Sequence, residues 1–332
     1  MRKKIVALLL AKMVQKRVLA SRELARLKKI ADVRPNIFPK LDTAACKVLI
    51  KDADAVISSW GTPKLEKEIL DCAPHLKLIA HAAGSVKPVV SDEVWKRKIR
   101  VTTTAPSIAL SVAQFTLGMM LLYSLRIRKF EQKVIMKGWA KIEDKLRCKG
   151  LYDITIGILG AGFVGQKVME YLKAFDVAIL LYDPTLSREQ ADRLGATKAG
   201  IEQLAKHSDI ISSHAPSIPA TYHLIGKKIF GLMKKDVLIV NTSRGSVIDE
   251  KAMVAFLKKN KEAFACIDVT DPEPPAANNP LRRMKNVLLT PHLAGTGANL
   301  RQGRYAVTEI QNLFAGKKLV YEVTNKMLGT MA

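Results

Sequence analysis

The chain has 332 residues, 48% hydrophobic and 25% charged, a length for about two domains and a composition that excludes a disordered or fibrous protein. Four widely spaced cysteines, Cys46, Cys72, Cys148 and Cys266, form neither a Cys-x-x-Cys pair nor a zinc set with the six histidines, so no metal site is expected and a reducing, cytoplasmic setting is the default. The formal net charge of +24 favours anionic ligands without specifying one.

In chain order, the start from Met1 to Lys12 has a basic front and an apolar run, but the run stops at Lys12 without a cleavage site, so a first β-strand is expected at Ile5–Leu10 rather than a targeting peptide. Apolar strands recur at Asp54–Ser58, Leu76–Ala80 and Ile99–Thr103, separated by polar-faced helices. Such βα alternation implies a parallel sheet. After the Ala105-Pro106 break, Ile108–Leu125 is apolar but carries Ser111, Gln114, Thr116 and Ser124. It reads as a buried helix, not a membrane span, with Ser107 as N-cap and Arg126, Arg128 and Lys129 at its negative end.

A second set of strands begins at Ile154 and continues at Val177–Tyr182, Asp209–Ser213, Val237–Asn241, Phe264–Val269 and Val287–Leu289. Two sets imply two α/β units. The natural crossing points are Ala105-Pro106 and Ala294-Gly295-Thr296-Gly297, after which the last 35 or so residues return to the first unit.

The first strand of the second set runs into Leu159-Gly160-Ala-Gly162-Phe163-Val164-Gly165, a helix-forming stretch follows, and the next strand ends at Asp183, 18 residues past the last glycine. In this pattern the first glycine allows a tight turn, the second lets backbone approach a pyrophosphate, and the third lets helix pack on strand. The phosphates then sit at the positive helix N-terminus, and the acid accepts hydrogen bonds from the adenosine ribose. A dinucleotide is the expected ligand. Asp183 would repel a 2′-phosphate, favouring NAD, although Arg188 lies nearby.

Residues 1 to 150 hold 31 Lys/Arg against 13 Asp/Glu, so the basic excess is expected to avoid the dinucleotide half. Lys12, Lys16, Arg17, Arg22 and Arg26 fall on polar helix positions and read as solvated surface.

Polar residues cluster where the second set of strands ends: His214 to Pro216, Thr242 to Arg244, Asp268 and Pro291-His292. Ligands of open parallel sheets bind beyond the carboxyl ends of strands, so these residues are expected to share a crevice. Arg244, Glu273 and His292, with Asp268 and Asp271, are the groups there able to bind an anion or move a proton. They suggest carbonyl reduction. Hydride addition to a ketone leaves negative charge on oxygen, which needs a proton from a group such as His292. Glu273, on the far ring nitrogen, would fix the tautomer and favour the imidazolium. Arg244 could grip a substrate carboxylate with its planar fork. Structural alternatives stand beside each: a core histidine, a helix-capping arginine, and a plain Asp-Pro-Glu-Pro turn.

The segments Asn241-Thr-Ser-Arg-Gly-Ser-Val-Ile-Asp249-Glu250, Ile267-Asp268-Val-Thr-Asp-Pro-Glu273-Pro and Thr290-Pro-His-Leu-Ala-Gly295 closely resemble signature segments of the D-isomer-specific 2-hydroxyacid dehydrogenases. The glycine turn and His214-Ala-Pro-Ser-Ile-Pro219 match as well. The resemblance implies an α/β fold in which a Rossmann-like dinucleotide-binding domain, 105–296, is inserted in a flavodoxin-like substrate domain made of 1–104 and 297–332. It further implies NAD as cofactor, a hinged cleft, and a homodimer to which the helix after Pro106 contributes. The family's catalytic arginine, glutamate and histidine fall on Arg244, Glu273 and His292. Its cofactor contacts fall on Gly160, Gly162, Phe163, Val164, Gly165, Asp183, Pro216, Thr242, Asp268 and His292. Glu273 argues against the formate-oxidising branch, which carries glutamine there.

The substrate loop departs from the family, reading His81-Ala-Ala-Gly84-Ser85-Val86-Lys87-Pro88. The N–H groups of Gly84 and Ser85 can still bind a carboxylate. Lys87 could add positive charge and favour substrates with a second anionic group. The expected activity is interconversion of a small 2-ketoacid and its D-2-hydroxyacid. Phosphoglycerate oxidation shares that chemistry, although no added regulatory domain follows residue 332. The alternative from another class is a dinucleotide-sensing regulator whose basic half binds nucleic acid or another anionic partner, and the intact trio counts against it.

Overall fold

The computed structural model describes residues 3–139 and 148–331, so of the basic front only Met1 and Arg2 lie outside the described residues. The chain divides into two compact units, one of 1–108 and 295–332, the other of 109–294.

In the first unit, β1 (Ile5–Leu9), β2 (Asp32–Arg34), β3 (Ala55–Ser58), β4 (Leu78–His81) and β5 (Arg100–Thr103) form a parallel sheet in the order 2-1-3-4-5. That order is flavodoxin-like. A short strand, Glu322–Val323, adds antiparallel to β5 at the edge. β1, β3 and β4 are buried almost throughout, as expected for strands covered by helices on both faces. The helix Asn299–Phe314 covers one face with Ala306, Val307 and Ile310.

The second unit contains β6 (Tyr152–Leu159), β7 (Asp176–Tyr182), β8 (Thr197–Lys198), β9 (Ile210–Ser213), β10 (Leu238–Asn241), β11 (Phe264–Ile267) and β12 (Val287–Leu289), all parallel. Their spatial order, 12-11-10-9-6-7-8, is the doubly wound Rossmann arrangement with one further strand. Strand order reverses between β6 and β9, which opens the crevice where such sheets bind ligands. Ile156, Ile158 and Val240 fill one face of this sheet, and Ile211, Ile239 and Ala265 fill the other.

The helix after β5 differs from expectation. It spans Ala105–Ser124, starting before Ser107, whose Oγ is buried without a partner among the described residues. Thr103 Oγ1 instead accepts from Ala105 N, at 3.1 Å, and Thr104 O accepts from Ser107 N, at 2.9 Å. The helix is also not wholly buried. Ala109, Val112, Ala113, Thr116 and Met120 form a buried stripe at helical spacing, while Leu110, Phe115, Leu117, Leu121 and Leu122 are half-buried. By length and composition it is the one helix among the described residues able to cross a membrane, with mean hydropathy 1.6. Arg126, expected at its negative end, takes a left-handed conformation (φ 52°) and pairs with Glu262 at 2.9 Å.

Candidate active site

β6 ends in the glycine turn. Gly160 has φ +90°, and a Cβ there would lie 3.0 Å from Ala215 N and His214 O, at the end of β9. A Cβ on Gly165 would lie 2.0 Å from Gly160 O, so the helix Phe163–Leu172 approaches the turn as closely as backbone permits. Gly162 is the N-cap of that helix, and nothing lies within 4 Å of where its Cβ would be. The open space before a ten-residue helix fits a pyrophosphate. Phe163 is exposed and Val164 half-buried in the first helical turn.

Asp183, directly after β7, holds this turn. Its Oδ2 accepts from Ala161 N at 2.8 Å, and its Oδ1 accepts from Thr185 N and Oγ1 at 2.9 and 2.6 Å. Asp183, Arg188 and Lys198 line a small cavity of about 320 Å³. Sequence spacing pointed to Arg188 but not to Lys198, which sits on the two-residue strand β8.

Further along the crevice, Pro216 follows β9 and Thr242 follows β10, and Thr242 Oγ1 lies 3.3 Å from Thr116 Oγ1. The Asn241 side chain shapes the next turn by donating to Arg244 O at 3.0 Å and accepting from Ser243 N and Oγ at 3.1 and 2.8 Å. The sequence marked Asn241 as part of a motif without giving it a task. Its signal was a polar residue closing the apolar run Leu238–Val240.

Arg244 Nη1 donates to Ser243 O at 2.7 Å, and no acceptor for its other nitrogens occurs among the described residues. Burial pushes the Arg244 pKa down, while the negative charge of Glu273 opposes the shift. The two side chains are therefore electrostatic neighbours. Gly245 makes that possible, since a Cβ there would fall 2.1 Å from Thr270 C and 2.5 Å from Asp271 N. The loop carrying Arg244 and the loop carrying Glu273 thus touch backbone to backbone.

Asp268, at 2% exposure, organises the remaining loop. Its Oδ1 accepts from Thr290 Oγ1 at 2.5 Å and Leu293 N at 2.9 Å, its Oδ2 from Ala294 N at 3.0 Å, and its carbonyl from His292 N at 2.9 Å. His292 sits at φ +51°, a left-handed conformation uncommon for a residue with a Cβ. The Asp268 bonds on either side hold it there. From that position His292 Nδ1 donates to Glu273 Oε1 at 2.7 Å. Both side chains are nearly half-exposed, and Nε2 has no hydrogen-bond partner among the described residues.

Arg244, Glu273 and His292 therefore come together, with Asp268 behind them. Gly84, Ser85 and Lys87 belong to the other unit, after β4. There Thr103 Oγ1 donates to Gly84 O at 2.7 Å and Thr104 Oγ1 to Ala83 O at 3.1 Å. No acceptor for the N–H groups of Gly84 or Ser85 occurs among the described residues. Lys87 Nζ donates to Met331 O at 2.5 Å, so its charge is engaged within its own unit.

A Rossmann sheet with a glycine turn, a largely buried arginine and a carboxylate-held histidine beyond its strands fits a nicotinamide-dependent oxidoreductase. The profile of the D-isomer specific 2-hydroxyacid dehydrogenase NAD binding domain matches residues 117–294. This chain belongs to the D-isomer-specific 2-hydroxyacid dehydrogenase family, and it is an NAD-dependent enzyme of 2-hydroxyacid and 2-ketoacid oxidoreduction. It is 35% identical over 274 residues to glyoxylate reductase of Thermococcus litoralis, spanning 81% of this chain and 82% of that one. It is 36% identical over 264 residues to D-3-phosphoglycerate dehydrogenase of Methanocaldococcus jannaschii, spanning 79% of this chain and 49% of that one. The matched region is thus about half the length of that relative. A protein from Pyrococcus horikoshii OT3, known from its crystal structure, superposes with TM-score 0.75 at 28% identity, covering 99% of this chain and 97% of that one.

Proposed function

We propose that the chain reduces a small 2-ketoacid such as glyoxylate to its 2-hydroxyacid, with His292 as proton donor, Glu273 as its partner and Arg244 as the carboxylate anchor. The 2.7 Å bond from His292 Nδ1 to Glu273 Oε1 carries this reading.

When bound, NADH supplies a hydride to the carbonyl carbon. Gly162 and its helix N-terminus suit the pyrophosphate, Asp183 the adenosine ribose, and Pro216, Thr242 and Asp268 line the way to the nicotinamide end. Arg244 binds the substrate carboxylate with nitrogens that have no other acceptor and polarises the adjacent carbonyl. His292 gives its Nε2 proton to the carbonyl oxygen as negative charge develops there. The Glu273 carboxylate, accepting at Nδ1, keeps the proton-bearing ring oriented and offsets its charge. In the oxidative direction the same nitrogen takes the proton back. Gly84 and Ser85 offer further donors suited to a carboxylate, and Lys87 is left without a role in binding a second anionic group.

The reading is tested by NADH oxidation with glyoxylate and pyruvate in the wild type and in Arg244→Lys. A lysine keeps the charge but not the planar fork. A fall in kcat/KM of about 10²-fold or more supports carboxylate anchoring, and near-native kcat/KM contradicts it. The rival reading, a dinucleotide-sensing regulator, requires NADH binding without turnover on any 2-ketoacid.

A further inference from the structure

We propose that the second unit carries a binding site for a nucleoside polyphosphate at the amino ends of its sheet strands, on the edge opposite the cofactor crevice. A cavity of about 680 Å³ opens there, within the range of small-molecule sites. Its floor is formed by the first residues of three parallel strands, Ile210, Leu238 and Phe264, together with Ile154 near the start of β6. The Tyr123 ring packs on Phe264 with centroids 3.7 Å apart, and both line the cavity together with Met284. The glycine turn follows β6 and His292 follows β12, both beyond the carboxyl ends of strands of this sheet, so the two sites are separated by the length of the strands.

The rim is cationic. Arg126 and Lys129 are shared with Glu262, at 2.9 and 3.1 Å, and Asp209 is taken by Lys234 at 2.8 Å. Arg128, Lys149, Lys258, Lys261, Arg283 and Lys285 also line the cavity, and none has an ion-pair partner among the described residues. Arg128 Nε is buried with no hydrogen-bond acceptor among the described residues. Buried donors are normally satisfied, and like charges gathered around one hollow repel unless an anion sits among them. Among the described residues of the lining, eight Lys and Arg side chains face three carboxylates, Asp209, Asp236 and Glu262, and this cationic rim over an apolar aromatic floor suits a ligand with a flat ring and several negative charges. Part of the basic excess therefore lies in the dinucleotide unit, since Arg126, Arg128, Lys129 and Lys149 precede residue 150 but belong to it.

The test uses full-length protein saturated with NADH, so that the cofactor crevice is filled, titrated calorimetrically with ATP and, separately, with inorganic tripolyphosphate. The expected result is one ATP per chain, bound about tenfold or more tighter than tripolyphosphate. Lys258→Glu/Arg283→Glu is expected to weaken ATP about tenfold or more while leaving NADH affinity and ketoacid reduction unchanged, which also shows that the variant is folded. Met284→Trp, which fills the floor without changing charge, is expected to weaken ATP in the same way. No saturable binding to about 1 mM ATP, equal affinity for tripolyphosphate, or binding indifferent to these substitutions would overturn the proposal. None of those results bears on the role of His292.

Discussion

The Glu273 carboxylate accepts a hydrogen bond from His292 Nδ1 at 2.7 Å, although each residue is nearly half-exposed. A pair this accessible contributes little to folding, because solvent screens it and two side chains must be ordered. Its geometry suits the proposed proton transfer instead. Glu273→Gln keeps the size and an acceptor but removes the charge that offsets the imidazolium. Steady-state kinetics are expected to show kcat lower by about 10²-fold, with the melting temperature and NADH affinity nearly unchanged. Unaltered kcat would mean that the pair is ornamental.

Asp268→Asn tests the loop behind the histidine. The carboxylate accepts from Thr290 Oγ1, Leu293 N and Ala294 N. An amide can accept on one side only, so its NH₂ would face an N–H donor in a buried site. A loss of about 1–3 kcal/mol in stability by denaturant unfolding is expected, together with a fall in kcat/KM because His292 loses the bonds that hold φ at +51°. A stable variant with native kcat/KM would show that the loop does not depend on this residue.

Gly245→Ala should separate the two loops that bring Arg244 and Glu273 together. The new methyl would fall 2.1 Å from Thr270 C, against backbone that cannot swing aside as a side chain can. The expected cost is about 3 kcal/mol or more in stability, with a rise in KM for the ketoacid as Arg244 moves. Measuring both in one variant is informative, since native KM at reduced stability would place the Arg244 anchor elsewhere.

The first unit is expected to weaken in mild acid because of His81. This residue is 2% exposed, its Nδ1 lies 3.0 Å from Ser58 Oγ, and burial pushes its pKa from 6.5 down to about 4, with the Ser85 backbone opposing. The unfolded chain then binds the proton more readily than the folded one. Its contribution to stability is complete above about pH 6.5 and is lost as pH falls from there towards about 4, by up to about 3 kcal/mol. Thermal melts between those limits should show a shallower decline in His81→Asn, which keeps a polar atom near Nδ1 but does not titrate. Parallel declines would remove His81 from the account.

Much of this arrangement was legible in the sequence, and the reasons are physical. Strands buried on both faces read as continuous apolar runs, which is why β1, β3, β6, β9, β10 and β11 fall within a residue or two of expectation. The glycine turn was visible because its close approaches allow no side chain. β2, β8 and the Glu322–Val323 strand were not visible, being two or three residues long at sheet edges, where neither burial nor alternation leaves a pattern. Ser107 looked like an N-cap by type, but Thr103 and Thr104 upstream perform the capping. The trio was recognisable as residue types after strands, whereas the hold of Asp268 on residues 290–294 depends on contacts 22 to 26 positions apart that spacing does not encode. The cationic rim was equally hidden, because Lys149, Lys258 and Arg283 come from separate segments that only folding gathers.

The central claim, proton donation by His292, is tested most directly by a single-turnover experiment in which NADH-loaded protein is mixed with glyoxylate and the loss of NADH absorbance is followed. His292→Asn is the variant of choice, since asparagine tolerates the left-handed backbone and cannot deliver a proton near neutrality. The account predicts hydride transfer slower by about 10² to 10⁴-fold in protein saturated with NADH. A transfer rate equal to that of the wild type would contradict it.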